Sequence, residues 1–424
     1  MKKGHLSQYF SGIAAKRLSS VEANVLVSNQ HEFNGVEGLR DLLGEPAGKV
    51  VYEATLLYLA DGMDIPVSEE GRLTWYDARQ KARLERGVQR WEYRLYFPST
   101  RISGLAREGD LLVIGLQPDG RLLVIVAADD SSAARQISWL FGLGNAGQRG
   151  FIIREDLNGE QDRIALTSRL ILENIGIAVE APALDYLALI QERFGTRFPP
   201  TREFSAFARS FHSDPDVTGD PDGTLTTWME TEELLFRTLE RYIIGEQLVK
   251  GFQASDGTVS VDGFLQFSLS VQNRRKSRVG LAFENHLEVI FQRCGLRFDR
   301  TAVTENRARP DFLFPGSAAY HDPASDAGQL TVLGVKSTCK DRWRQVLAEA
   351  DRVPRKHLLT LETAISRQQT TEMQEKGLQL VVPRALHETY YPDQRGWLMD
   401  LKQFVVLVQE RERTFPAHQA ALAL

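Results

Sequence analysis

Two carboxylates and a lysine stand in an order that suits metal-assisted hydrolysis of a phosphodiester. Asp311 follows Pro310 at the head of a short apolar run, Lys336 closes a second run, and Glu349 lies further on. Such hydrolysis needs hard oxygen ligands for a divalent cation. It also needs a water oriented beside the phosphorus, and positive charge where the transition state gathers negative charge. Two carboxylates and one lysine on neighbouring elements supply all three. If Asp341 to Arg352 is helical, Asp341 and Gln345 share the face of Glu349 by i, i+4 spacing. Charged residues are normally exposed, so spacing alone more often describes a surface aspartate, a solvated lysine and a helix-face glutamate.

The elements that must position these residues read as an α/β domain. From about residue 180 helical and strand patterns alternate. Phe283, Leu287, Ile290, Phe291 and Cys294 form one apolar helical face. Asp311–Phe314, Thr331–Val335, His357–Leu361 and Leu378–Val382 read as strands. Helices are expected at Leu184–Phe194, Thr231–Leu248, Asp341–Arg352, Ala364–Lys376 and Leu398–Glu410. That alternation implies a mixed central sheet flanked by helices. Residues 1 to about 150 read as mainly β, a small barrel or pseudobarrel. Gln117-Pro118-Asp119-Gly120 is a hairpin turn between two apolar strands. Glycines at 142, 144, 147 and 150 break the pattern, and 151–180 reads as a connector, with one helix over Gln161–Ile175, which leaves 181–424 for the α/β domain.

Composition sets outer bounds. The chain has 424 residues, 42% of them hydrophobic, enough for two cored domains. A formal net charge of −5 neither marks nor excludes a nucleic-acid partner, because binding needs only a local basic surface. Cys294 and Cys339 fit no metal-ligand spacing and no disulfide scaffold. Lys2 and Lys3 are not followed by a signal-peptide core, and runs such as Leu122–Ala128 are too short to span a bilayer. A cytoplasmic protein with no membrane partner is expected.

Four segments stand together in order: Asn273-Arg274-Arg275-Lys276-Ser277-Arg278, Pro310 to Pro315, Tyr320-His321-Asp322, and Val335 to Gln345. From about residue 196 to beyond Val382 the chain resembles the catalytic domain of the EcoRII family of restriction endonucleases. In the broader fold group an acidic residue usually precedes the lysine by two positions. Here that position is Gly334. The EcoRII branch shares this departure and takes its carboxylate from the next helix, at the position of Glu349. The resemblance implies a Mg²⁺-dependent, homodimeric endonuclease cutting double-stranded DNA at a short symmetric site like CC-(A or T)-GG, leaving a 5′ phosphate. A companion DNA methyltransferase for the same site is implied too. Asp311 and Glu349 would hold the metal and Lys336 would orient the attacking water. Glu284, Tyr320 and Lys276 match further positions near the catalytic centre; Glu284 is equally readable as a helix-face carboxylate, and Tyr320 as a packed ring.

Site reading is expected to fall to Lys340, Asp341 and Arg342. Arginine and lysine donate to guanine O6 and N7, and aspartate accepts from cytosine N4. Two subunits about a two-fold axis would present the cluster twice. A solvated helix start is the plainer account of such a charge run. The N-terminal half resembles the family more weakly, through Lys16-Arg17-Leu18-Ser19 and the strand order after Arg90-Trp91. It implies an effector domain that binds a second copy of the site and restrains the catalytic half. Arg79, Lys81, Arg83, Arg86, Arg90 and Arg94 cluster near Trp75, Tyr76, Trp91 and Tyr93, which suits a nucleic-acid surface, although Asp77, Glu85 and Glu92 dilute it. Ser28-Asn29-Gln30-His31-Glu32 is a polar stretch that could read bases. Two other readings remain at this level: a modification-dependent or defence nuclease on the same fold, and a DNA-binding protein that does not cleave.

Overall fold

Strand alternation sorts the apolar residues of the N-terminal half onto two faces. The structure, a computed structural model, describes residues 4–23, 31–33, 36–63, 65–87, 89–144, 150–179, 186–213, 215–253, 258–339 and 342–414. By contact the chain divides into two units. One is Met1–Val179 with Thr363–Gln368 and Thr389–Tyr391; the other is Glu180–Glu362 with Gln369–Glu388 and Pro392–Leu424. The stretch expected to connect them is therefore part of the first unit as far as Val179.

The first unit holds eight strands: β1 (Gly12–Arg17), β2 (Glu32–Phe33), β3 (Val50–Leu59), β4 (Val67–Asp77), β5 (Tyr93–Tyr96), β6 (Leu111–Leu116), β7 (Leu122–Ala127) and β8 (Ile152–Arg154). Their order is β2-β5-β4-β3-β7-β6-β1-β8. All pairings are antiparallel except β3 with β7. The β6–β7 hairpin turns where the sequence places it: Gly120 takes φ +84°, which its missing Cβ permits, and donates to the Gln117 carbonyl at 2.9 Å. On one face Leu112, Ile114, Leu122 and Val124 join Leu73, Trp75 and Leu95 in a core. On the other Leu111, Val113, Leu123 and Ile125 pack with Ile137 and Leu140 of the Ser132–Leu140 helix and Ile171 and Leu172 of the Leu166–Asn174 helix. Burial on both faces explains why β6 and β7 read as unbroken apolar runs. Residues 151–179 supply β8 and the Leu166–Asn174 helix to this unit because Ile171, Leu172 and Ile175 have a core to enter.

The second unit carries the mixed sheet. Its strands are β9 (Asp299–Arg300), β10 (Phe312–Phe314), β11 (Thr331–Lys336), β12 (Lys356–Thr360) and β13 (Leu378–Val381), in the order β13-β12-β11-β10-β9. The pairs β9–β10 and β10–β11 are antiparallel; β11–β12 and β12–β13 are parallel. Two helices are much longer than their sequence patterns indicate. Pro221–Lys250 starts on an Asp220 cap that accepts from Gly223 N at 3.0 Å. Val261–Arg293 starts on a Ser260 cap. The second helix buries its expected face, Phe283, Leu287, Ile290 and Phe291, completely. The Phe291 ring lies 5.1 Å from Phe312 and 5.4 Å from Phe314, which anchors the helix over β10. No helix among the described residues is long and apolar enough to cross a membrane.

Candidate active site

Antiparallel pairing of β10 with β11 sets Phe312 opposite Leu333. Asp311, just before β10, therefore faces the end of β11. Its Oδ2 accepts from the Val335 backbone N–H at 2.6 Å and from Lys336 Nζ at 2.8 Å. Both side chains are largely shielded, at 16% and 14% exposure. Sequence spacing had only made this pairing possible; the sheet register makes it.

The missing acid at Gly334 has a steric cause. A Cβ there would lie 2.6 Å from Val346 Cγ2, and real Cβ atoms do not approach that closely. Val346 is fully buried, seated over β11 by the short helix Trp343–Leu347. The helix was expected to run from Asp341 to Arg352, but it closes at Leu347, with Ala348 as its cap. Glu349 thus leaves from the turn after the helix rather than from its face. The Glu349 carboxyl is raised above its ordinary range, first by burial, then by the Asp311 charge, with Lys336 opposing. Its Oε2 is buried without a hydrogen-bond partner among the described residues. A buried carboxylate oxygen without a donor is costly, unless a cation completes it.

Glu284 reaches the same place from the Val261–Arg293 helix. Burial raises its carboxyl, and the Asp311 charge adds to that rise. Arg300 on β9 tethers it at 2.7 Å and holds Glu288 at 2.7 Å. Among the described residues no three His, Cys, Asp or Glu side chains are grouped to hold a metal by themselves. Asp311 and Glu349 offer a hard cation two carboxylates, leaving further positions to water and phosphate oxygens, as Mg²⁺ prefers. Glu349 Oε2, lacking any donor, fits that use.

Two candidates stand elsewhere. Tyr320 is 1% exposed and packs with Leu313, Val332 and Val353. Its hydroxyl donates to Glu305, and burial followed by that bond holds it protonated well above the usual tyrosine value. A base or nucleophile role does not suit a hydroxyl so placed. Lys276 is exposed on the Val261–Arg293 helix. Eight residues before Glu284, it lies roughly 12 Å away along the axis.

Of the expected site-reading cluster, Lys340 and Asp341 lie outside the described residues. Arg342 is exposed at the start of the Trp343–Leu347 helix, its N–H donating to the Cys339 carbonyl at 2.9 Å. In the first unit the expected basic surface is mostly paired internally. Arg79 binds Glu92, Arg83 binds Asp77, and Arg94 binds Glu92 at 2.6 Å and Glu32 at 2.7 Å. The hydrogen bonds from Arg79 and Arg94 hold the Glu92 carboxyl down at about 2. Arg83 also covers the Trp91 ring, which stacks on Tyr93. Arg90 is exposed. Of the proposed polar reader, Ser28, Asn29 and Gln30 lie outside the described residues, while Glu32 is engaged by Arg94 and Tyr76. The residues that sequence reading missed are Arg300, Glu305 and Val346; none carries a motif, and each is brought in by register or packing.

A mixed sheet that brings an aspartate and a lysine together at adjacent strand ends, with further carboxylates reaching them from outside the sheet, defines a nuclease of the restriction-endonuclease-like class. A family model described as EcoRII C terminal matches residues 236–405. The type II restriction enzyme EcoRII of Escherichia coli is 34% identical over 352 residues, covering 81% of this chain and 79% of that one. Two solved structures are also similar. Metal-depleted Ecl18kI in complex with uncleaved, modified DNA has 17% identity and a TM-score of 0.43, covering 54% of this chain and 84% of that one. The restriction endonuclease PspGI–substrate DNA complex has 16% identity and a TM-score of 0.42, covering 55% and 98%. The chain belongs to the EcoRII family of type II restriction enzymes and is a site-specific deoxyribonuclease.

Proposed function

We propose that Asp311 and Glu349 hold a Mg²⁺ ion while this enzyme hydrolyses one phosphodiester in each strand of a short symmetric site. The observation that carries this is the orphaned Glu349 Oε2 in the field of the Asp311–Lys336 pair. Bound there, the ion would polarise the scissile phosphate and make its water more acidic. Lys336, held by Asp311, orients the attacking water and places positive charge where the phosphorane gathers negative charge. Water oxygen bonds to phosphorus, losing a proton to solvent, as the bond to the 3′ oxygen breaks; that oxygen takes up a proton from solvent and leaves as a 3′ hydroxyl, and the other end keeps a 5′ phosphate. Glu284, kept in place by Arg300, adds a further acidic group beside the metal ligands. The purified protein should cut DNA with Mg²⁺ and not with EDTA, and sequencing the ends should give one short site resembling CC-(A or T)-GG. Metal-independent cutting or scattered ends would overturn the reading. Cutting of modified DNA alone would favour a modification-dependent nuclease.

Arg342, with Lys340 and Asp341, reads the outer C·G pairs in this proposal. Its exposure at a helix start suits a groove contact. Arg342→Ala is expected to cost about 1–3 kcal/mol of discrimination at one G·C position. Equal weakening on specific and random DNA would instead make it a phosphate contact.

The same proposal includes a homodimer, a cytoplasmic location, a companion methyltransferase, and restraint of cleavage by the N-terminal domain until it binds a second site. Since Arg79, Arg83 and Arg94 are neutralised by acids, DNA contact by that domain rests in this proposal on other groups, with Lys81, Arg86, Arg90 and Trp91 the exposed members of the cluster. Plasmids with several sites should then be cut faster than plasmids with one, because second-site DNA shifts the population to the open state. Equal rates would remove the restraint from the proposal, and sedimentation of the free protein as a monomer would remove the dimer.

A further inference from the structure

The turn that delivers Glu349 is held by Thr304 and Glu305, to which sequence reasoning gives no role, together with Tyr320. Ala350 follows at φ +51°, a left-handed conformation that a Cβ disfavours, and it is fully buried. Its N–H must find a partner there, and it donates to Thr304 Oγ1 at 3.4 Å. The next N–H, of Asp351, donates to Glu305 Oε2 at 3.2 Å. The same oxygen accepts the Tyr320 hydroxyl, and that hydroxyl in turn accepts from Arg352 N at 3.4 Å. The Glu305 carboxylate therefore holds the backbone of Asp351 directly and that of Arg352 through Tyr320, while its neighbour Thr304 takes the Ala350 N–H, all directly after the proposed metal ligand in the chain.

The partner segment is unusual as well. Asn306 and Arg307, beside Glu305, take φ +56° and +59°. Together with Thr301 and Ala350, they are four of the six non-glycine residues with positive φ among the described residues. All four sit in the segments that flank Asp311 and Glu349. Backbone kept in disfavoured conformations is held by its surroundings, and such residues gather at functional sites. Burial pushes the Glu305 carboxyl up, but the Tyr320 bond and the backbone N–H groups outweigh it, leaving the group below its ordinary range. It is thus an anion at neutral pH, and its bonds to the turn are charge-assisted.

We propose that Glu305, with Tyr320 as its hydrogen-bond donor, is a positioning residue: it fixes the left-handed turn at Ala350 and thereby sets the Glu349 carboxylate for the divalent cation. This rests on the reading that Glu349 holds the metal. Tyr320 belongs to the site through this contact, not through its own hydroxyl chemistry.

The test uses the full-length protein with Mn²⁺ as the probe, titrated by electron paramagnetic resonance in the presence of specific DNA. Specific-DNA affinity without metal and thermal unfolding are measured alongside. Glu305→Gln is expected to weaken Mn²⁺ binding roughly 10–100-fold, the usual size of a lost outer-sphere support. Metal-free DNA affinity should stay within about twofold, and high Mg²⁺ should restore the cleavage rate. Tyr320→Phe should act in the same direction and serves if Glu305→Gln does not fold. Glu349→Gln should lose Mn²⁺ binding and resist rescue. Wild-type Mn²⁺ affinity in Glu305→Gln or Tyr320→Phe, with Glu349→Gln impaired, overturns the positioning role. Wild-type affinity in Glu349→Gln overturns the metal assignment itself.

Discussion

Asp311→Ala and Lys336→Ala should each lower the rate of DNA cleavage by roughly 10²–10³-fold or more, the size of a lost group acting on the transition state. Their effects on DNA binding should differ in sign. The two side chains neutralise each other at 2.8 Å. Removing Asp311 leaves an unpaired lysine facing a polyanion, so metal-free DNA affinity should hold or rise. Removing Lys336 leaves an unpaired carboxylate, so affinity should fall. With base reading assigned to Arg342 and its neighbours in the proposal above, the ratio of specific to random binding should be preserved in both variants. Rates can be followed on a plasmid with several sites, and affinities by titration in Ca²⁺-free buffer with EDTA. Cleavage near the wild-type rate by either variant would remove it from the catalytic machinery. Identical shifts in affinity would show that the ion pair does not set the local charge.

The second large effect is expected at Gly334, where the fold group usually carries an acid. Restoring that pattern with Gly334→Asp should inactivate and destabilise this chain. A Cβ meets Val346 at 2.6 Å, and overpacking a closed core costs roughly 1–3 kcal/mol before the buried carboxylate is counted. Unfolding should move down by at least several degrees. Displacement of Val346 also moves the helix that leads to Glu349, so Gly334→Asp should not rescue Glu349→Ala. Gly334→Ala separates the two causes: it adds the steric conflict without the charge and should lose part of both stability and activity. If Gly334→Asp restores cleavage to Glu349→Ala, the steric exclusion at Gly334 fails; if Glu349→Ala alone cuts DNA at near the wild-type rate, the role given to Glu349 fails.

Much of this protein was legible before folding was considered. The 3.6-residue spacing from Phe283 to Phe291 identified the face that covers the sheet, because a helix buries the stripe its sequence makes apolar. Turn chemistry at Gln117–Gly120 identified a hairpin, since only certain residues adopt its dihedrals. The order of Asp311, Lys336 and Glu349 within family-like segments identified an endonuclease of the EcoRII family. These signals are local, or travel with motifs, and survive in one dimension.

Tertiary structure alone decided the rest. Residues 151–179 belong with the first unit because the core beside β6 and β7 has room for Ile171 and Leu172; composition cannot report a vacancy elsewhere in the fold. The arginines of the N-terminal cluster looked like a nucleic-acid surface, but pairing with Glu32, Asp77 and Glu92 follows from how β2, β4 and β5 lie together. The helix before Glu349 stops early, and the glutamate is aimed by Glu305, some forty residues earlier in the chain, through a buried turn. Gly334 reads in one dimension as a lost acid. In three dimensions it is the space that Val346 occupies, and a side chain in contact across a sheet face is the kind of fact only packing can settle.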